Sequence, residues 1–179
     1  MSNKVKKVPV VLQMEALECG AASLAMILAY YKKFVPLEKL RMECSVSRDG
    51  CNAKNVLAAA RHNGLTAKGF SYSDIDALKK NVEFPAIIHW NFNHFVVLCG
   101  FSKNEAILAD PASGRRRVPM DEFEKSFTGI VLTFEKSDEF VADGQKKSIV
   151  GFLLKRLQGA VLPLIFILIT SLLLTAIGS

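Results

Sequence analysis

Cys19 stands where a thiol can become a nucleophile. It opens a stretch to Tyr31 in which Ala22, Ala25, Ile27, Leu28, Tyr31 and most positions between them are apolar, so the pattern predicts a helix buried nearly all round. At the first turn of such a helix the unpaired backbone N–H groups and the positive end of the dipole favour an anion. That lowers a thiol pKa and supplies thiolate near neutral pH. Gly20 lets a substrate backbone come close. Gln13, on the loop entering the helix, carries an amide that can converge with the Cys19 N–H to form a two-donor pocket for an oxyanion. Packing is the alternative role, because free cysteine is among the most buried residue types.

The string Gln13-x5-Cys19-Gly20-x2-Ser23-Leu24-x-Met26-Ile27 closely resembles the cysteine motif of the bacteriocin-processing peptidases. These cut leader peptides after a double glycine, have a papain-like fold and are often fused to the front of an ABC exporter. His94-Phe-Val-Val-Leu-Cys-Gly-Phe101 resembles their histidine motif, and Asp110-Pro-Ala-Ser-Gly114 their acidic motif. The resemblance covers nearly all of Val8 to Glu135. It implies Cys19 as nucleophile, His94 as its base and later acid, Asp110 as the orienting carboxylate and Gln13 as oxyanion donor. It also implies a precursor peptide as partner, with a helical leader ending in a Gly-Gly type site and an apolar groove to hold it, whose residues the sequence does not name. No cofactor is expected in this chain, ATP belonging to an exporter part beyond it; no G-x-x-x-x-G-K-[ST] phosphate loop is present. A docking domain that holds the leader without cutting is the competing reading, and Cys19 argues against it.

A base needs its orienting carboxylate within hydrogen-bond reach, so His94 and Asp110 must come together across one hairpin. Loop length decides whether they can. A four-residue loop, Ser102 to Glu105, would pair Phe101 with Ala106 and put the two side chains on opposite faces. A three-residue loop, Ser102-Lys103-Asn104, would pair Phe101 with Glu105 and set Asp110 across from Val96, making His94 its same-face diagonal neighbour. That register is the expectation, with Asn104 in the left-handed position.

The elements around these residues follow an α+β order, helices first and antiparallel strands afterwards, as a papain-like fold requires. Helices are predicted over Pro36–Glu43, over Ala53–His62 with Asn52 as cap and Asn63-Gly64 as stop, and from Ser73 or Asp74 through Lys80. Strands are predicted over Leu65–Phe70, Pro85–Trp90, His94–Phe101, Ala106–Asp110 and Gly129–Glu135, with a short helix near Asp121–Phe127. His62, His89, Asp74 and Asp76 read as structural or solvated.

Composition narrows the remaining possibilities. The net charge of +6 over 179 residues is spread along the chain, and no nucleic-acid module accompanies it, so no nucleic-acid partner is expected. Cys19, Cys44, Cys51 and Cys99 form no C-x-x-C pair, and His89, His94 and Cys99 match no common metal spacing, so no metal site is expected. No secretory signal follows the N-terminal lysines, and free thiols in a reducing cytoplasm are expected. The chain is read as a peptidase domain (1–135), a linker with an interfacial amphipathic helix (136–158) and a first transmembrane helix (159–179) that begins an exporter's membrane domain. From Ala160 to Ile177 no residue is charged, and Lys146, Lys147, Lys155 and Arg156 precede that run. By the positive-inside rule they and the peptidase lie on the cytoplasmic side of a bacterial cell membrane. A buried soluble helix is the alternative for the tail. The full-length protein is expected to be a multi-pass homodimer.

Overall fold

The computed structural model describes residues 5–48, 50–144 and 161–177, and the chain divides into two compact units, Met1–Gly144 and Gln145–Ser179. In the first, an extended N-terminal segment runs beside the sheet, with Lys6 N–H donating to Cys99 O at 2.8 Å and Gln13 N–H to Pro111 O at 2.9 Å. A 3-10 turn, Ala16–Glu18, then leads directly into helix α1 (Cys19–Tyr30). Every residue of α1 except Tyr30 is buried, as its unbroken apolar character predicts. Helices α2 (Leu37–Glu43) and α3 (Ala53–His62) pack against it. The Asn52 side chain caps α3 by accepting the Asn55 N–H at 2.9 Å, and Gly64 ends it at φ +84, where a side chain would be strained.

The remaining elements are β1 (Leu65–Ser71), α4 (Ile75–Asn81), β2 (Ala86–Trp90), β3 (His94–Ser102), β4 (Glu105–Asp110), β5 (Gly114–Pro119), α5 (Met120–Ser126) and β6 (Phe127–Lys136). The strands form one antiparallel six-stranded sheet in the order β1-β6-β2-β3-β4-β5. The fold is α+β with an antiparallel sheet. Strand β5 is not among the expected strands, because the consecutive Arg115, Arg116 and Arg117 break any alternating apolar pattern. On an outer strand, charged side chains suit the open edge and discourage pairing with other chains.

Central strand β3 is buried on both faces, which explains its continuous apolar run. Phe95, Val97 and Cys99 join α1, α2 and α3 in one core, while Val96, Leu98 and Phe101 join Leu78 of α4 and Phe123 of α5 in another. Full burial of a side chain such as Leu98 or Phe123 stabilises by about 1.5–3 kcal/mol.

The β3–β4 hairpin differs in detail from expectation. It turns through two residues, Lys103-Asn104, pairing Ser102 with Glu105 and Phe101 with Ala106; Lys103 (φ 54), not Asn104, takes the left-handed conformation. A β-bulge then absorbs Cys99, so that Gly100 pairs with Ile107, Leu98 with Leu108 and Val97 with Ala109. Beyond the bulge the register equals that of a three-residue loop, and alternation returns Asp110 to the side that His94 shares.

The first unit extends past the expected boundary at 135. Phe140 packs edge-on to Tyr31 at 6.1 Å, Ser137 Oγ donates to Gly64 O at 2.7 Å, and Phe34 N–H donates to Asp143 O at 2.8 Å. In the second unit the described element is helix α6 (Val161–Ile177), 17 residues without a charge. Its length of about 26 Å falls short of a hydrocarbon core of about 30 Å, and among the described residues no helix is long and apolar enough to cross a membrane. The transmembrane helix expected over 159–179 is therefore not supported by the described residues. The interfacial helix expected over Ser148–Leu157 lies outside them.

Candidate active site

Three elements converge on Cys19. Helix α1 presents it at its N-terminus, the start of β3 presents His94, and the end of β4 presents Asp110. The Ser23 hydroxyl, buried one turn along α1, donates to Phe95 O at 3.1 Å and ties helix to strand. The Cys19 thiol lies near enough to His94 for the two groups to shift each other's ionisation. His94 Nε2 lies 2.9 Å from Asp110 Oδ1, which leaves Nδ1 as the ring nitrogen available to the thiol. Cys19 is 6% exposed, and the His94 and Asp110 side chains are 19% and 5% exposed, so the arrangement is sheltered yet open at the imidazole.

Asp110 is held from several sides. Its Oδ1 also accepts the Ala112 N–H at 2.8 Å, and its Oδ2 accepts the Ser113 hydroxyl at 2.8 Å and faces Arg116 Nη1 at 3.4 Å. The Asp110-Pro-Ala-Ser-Gly turn thus uses the carboxylate to fix its own backbone.

Burial opposes ionisation at all three groups, and in each case polar partners outweigh it. Burial pushes the Cys19 thiol up, but the His94 hydrogen bond, backbone hydrogen bonds at Phe95 and Gly20 and the His94 charge bring it below its ordinary 9.0. Burial pushes His94 down, but hydrogen bonds and charge from Cys19 and Asp110 raise it above 6.5. Asp110 meets the same burial penalty, yet His94, Ala112 and Ser113 hold it below 3.8. The shifts run in the direction that favours a thiolate–imidazolium pair backed by a carboxylate.

The other thiols are different. Burial pushes Cys44 up to about 12, and Cys51 and Cys99 to about 11, so they stay protonated and inert. Iodoacetamide at about pH 7 is expected to label Cys19 ahead of the other three cysteines, with labelling slowed in His94→Ala; peptide mapping reads both.

Cys51 still matters for shape. A Cβ on Gly20 would run into Cys51 Sγ and come within 3.1 Å of Val56 Cγ2, so glycine is required for packing beneath Cys19. Gly20→Ala should destabilise by about 1–3 kcal/mol, and Gly20→Ala/Cys51→Ala should recover part of that loss in urea unfolding. The sequence reading gave Gly20 to substrate approach; the close contact is with the protein itself.

Gln13 sits on the entering loop with its amide loosely held. Its Nε2 is 3.5 Å from Ala16 O, and its Oε1 is buried without a hydrogen-bond partner. Such an orphaned amide calls for an explanation. The remaining candidates have local partners: Asp74 caps α4, Asp76 pairs with Lys79 at 3.6 Å, His62 lies 3.7 Å from Glu43, and His89 bonds Thr128 at 3.0 Å and packs on Phe95. Among the described residues no cluster of three or more His, Cys, Asp or Glu could hold a metal ion.

Sequence reasoning missed Ser23, Ser113, Arg116, Glu18 and Arg41. Only Ser113 had a usable signal, as a hydroxyl following Asp110-Pro in a turn.

Residues 7–139 match the Peptidase C39 family. The chain is 38% identical over 143 residues to the probable microcin-H47 secretion/processing ATP-binding protein MchF of Escherichia coli, covering 79% of this chain and 20% of that protein. It is 35% identical over 138 residues to the colicin V secretion/processing ATP-binding protein CvaB of Escherichia coli, covering 77% and 20%. The chain thus spans 20% of the length of these curated relatives. Among solved structures, a double glycine motif protease from an AMS/PCAT transporter, crystallised in complex with the leader peptide, is 63% identical with a TM-score of 0.73, covering 74% of this chain and 94% of that one. The peptidase domain of Streptococcus ComA, at 22% identity and a TM-score of 0.69, covers 73% of this chain and 100% of its own, a likeness of fold alone.

Proposed function

The chain belongs to the peptidase C39 family, and from that premise we propose that it is a papain-like cysteine peptidase domain that removes the leader of a ribosomally made peptide after a Gly-Gly type site, ahead of export by an ABC transporter. The observation that carries the reading is the convergence of Cys19, His94 and Asp110 from three elements, with His94 Nε2 at 2.9 Å from Asp110 Oδ1.

In this reading Cys19 thiolate attacks the carbonyl carbon of the second glycine. The developing oxyanion is stabilised by the Cys19 backbone N–H and the Gln13 amide, whose weak internal bond leaves it free to turn toward the substrate. His94, protonated in the ion pair, gives its proton to the leaving amine. It then takes a proton from water, which attacks the thioester and frees the leader. Asp110 holds the imidazole by Nε2 and stabilises its charge. A channel too narrow for a Cβ would select glycine at the cut, and a helical leader would lie in an apolar groove.

The charge-free helix α6 supports placing residues 159–179 at the start of an exporter's membrane domain. It exposes Ile165, Phe166, Ile167, Leu168, Ile169, Leu173 and Leu174. The full-length protein would then be a membrane exporter, homodimeric, with the peptidase on the cytoplasmic side.

Mixing the chain with a synthetic Gly-Gly leader fused to a short cargo, followed by mass spectrometry, tests the reading. One cut after the second glycine is expected. Tight binding without a cut would instead favour a docking domain.

A further inference from the structure

Directly before the nucleophile the chain buries a carboxylate that takes no part in proton transfer. Glu18 is 1% exposed. Its Oε2 accepts the Met14 N–H at 2.9 Å and the Glu15 N–H at 3.2 Å, and its Oε1 meets Arg41 Nη1 of α2 at 2.9 Å. Arg41 also reaches back to Glu15 Oε2 at 3.3 Å through Nη2. All three of these partners lie on the loop that follows Gln13 or on the helix behind it.

The other side of Gln13 is pinned as well. Its own N–H donates to Pro111 O at 2.9 Å, next to Asp110. The backbone at Gln13 is therefore clamped between the Asp110 turn and the Glu18 carboxylate, while its side-chain amide has no strong bond to the protein. Glu18 is buried while Arg41 stays partly exposed, and burying a carboxylate is costly, so its placement here calls for another account.

We infer that Glu18, neutralised by Arg41, is a positioning residue that fixes the Gln13 loop so that the Gln13 amide and the Cys19 N–H converge on one oxyanion position. This rests on the peptidase reading above and deepens it. An oxyanion pocket acts only when its donors are already aimed, and a shift of about 1 Å in such a group costs roughly a hundredfold in rate. Glu18→Gln keeps the size of the side chain, but its amide can serve only one of the two partner sets: turned one way it faces Arg41 with donors, turned the other it faces the two N–H groups with donors. The main causes that shift Cys19 are burial, His94, Phe95 and Gly20, so the pH profile is expected to stay in place in Glu18→Gln.

The test is a double-mutant cycle on leader cleavage with the 179-residue chain: wild type, Glu18→Gln, Gln13→Ala and the double variant, each with kcat, KM and a pH profile. Arg41→Ala and Arg41→Lys are added because the partly exposed Arg41 can be changed without leaving a hole in the core. The expected result is a fall in kcat of roughly ten- to a hundredfold for Glu18→Gln with KM and both pH limbs unmoved. In the Gln13→Ala background Glu18→Gln should cost little more, because the aimed group is already gone. Arg41→Ala should follow Glu18→Gln, and Arg41→Lys should restore most of the rate. If wild type cuts but Glu18→Gln is fully active, acts on KM alone or adds its full effect to Gln13→Ala, the positioning role is wrong and the peptidase stands. A wild type that cuts nothing overturns the peptidase reading and this inference with it.

Discussion

Cys19→Ala is expected to lower leader cleavage by about 10⁵- to 10⁶-fold while leaving leader affinity within a few-fold of wild type. The alanine removes one sulfur from a site walled by α1 and the start of β3, a small loss at the edge of the core. His94→Ala should cost nearly as much, and the double variant no more than either alone, because a nucleophile without its base and a base without its nucleophile are equally idle. Cleavage rates by mass spectrometry and binding of an uncut leader by calorimetry separate the two quantities. Retained cleavage in Cys19→Ala would remove Cys19 from the mechanism. Unchanged binding with lost cleavage is the pattern that a docking domain cannot produce.

Asp110→Asn carries the second large effect, and it is read in the pH profile. The active species needs Cys19 as thiolate and His94 as imidazolium, so cleavage rises with pH as the thiol ionises and falls as the imidazolium is lost. Cys19 is held below 9.0 and His94 above 6.5, so the wild-type profile should be a plateau whose alkaline limb lies above 6.5 and whose acid limb lies below 9.0. Asparagine keeps a hydrogen bond to Nε2 but removes the negative charge that raises His94. The alkaline limb should move down, narrowing the plateau and cutting neutral-pH activity by roughly tenfold or more. An unmoved alkaline limb would mean that Asp110 only shapes its turn.

The same pair affects folding, with opposite signs at its two ends. His94, raised in the folded state, contributes stability in full below 6.5 and loses it as pH rises through its folded value. Asp110, depressed in the folded state, contributes above 3.8 and loses it as pH falls through its folded value. Asp110→Asn should therefore destabilise most between 3.8 and 6.5.

The amino-acid sequence alone determined the local elements and the chemistry they could carry. The charge-free run from Cys19 pointed to a buried helix, the alternating and continuous apolar segments from Ala86 onward pointed to strands, and the resemblance of the Cys19, His94 and Asp110 segments to one peptidase family implied acyl transfer. These are short-range properties, set by side-chain period and capping. Tertiary structure decided the rest. The turn at Lys103-Asn104 alone would have put His94 and Asp110 on opposite faces, and the bulge at Cys99 reversed that, an outcome fixed by how β3 packs between β2 and β4. The basic stretch Arg115–Arg117 became a strand because β4 offered a free edge, and Gly20 was required because Cys51 arrives there from a distant loop. Glu18 and Arg41 meet only when α2 folds back over the entry to α1. Register, edge pairing and buried ion pairs depend on partners remote in the chain, and no local pattern of residues encodes where those partners will be.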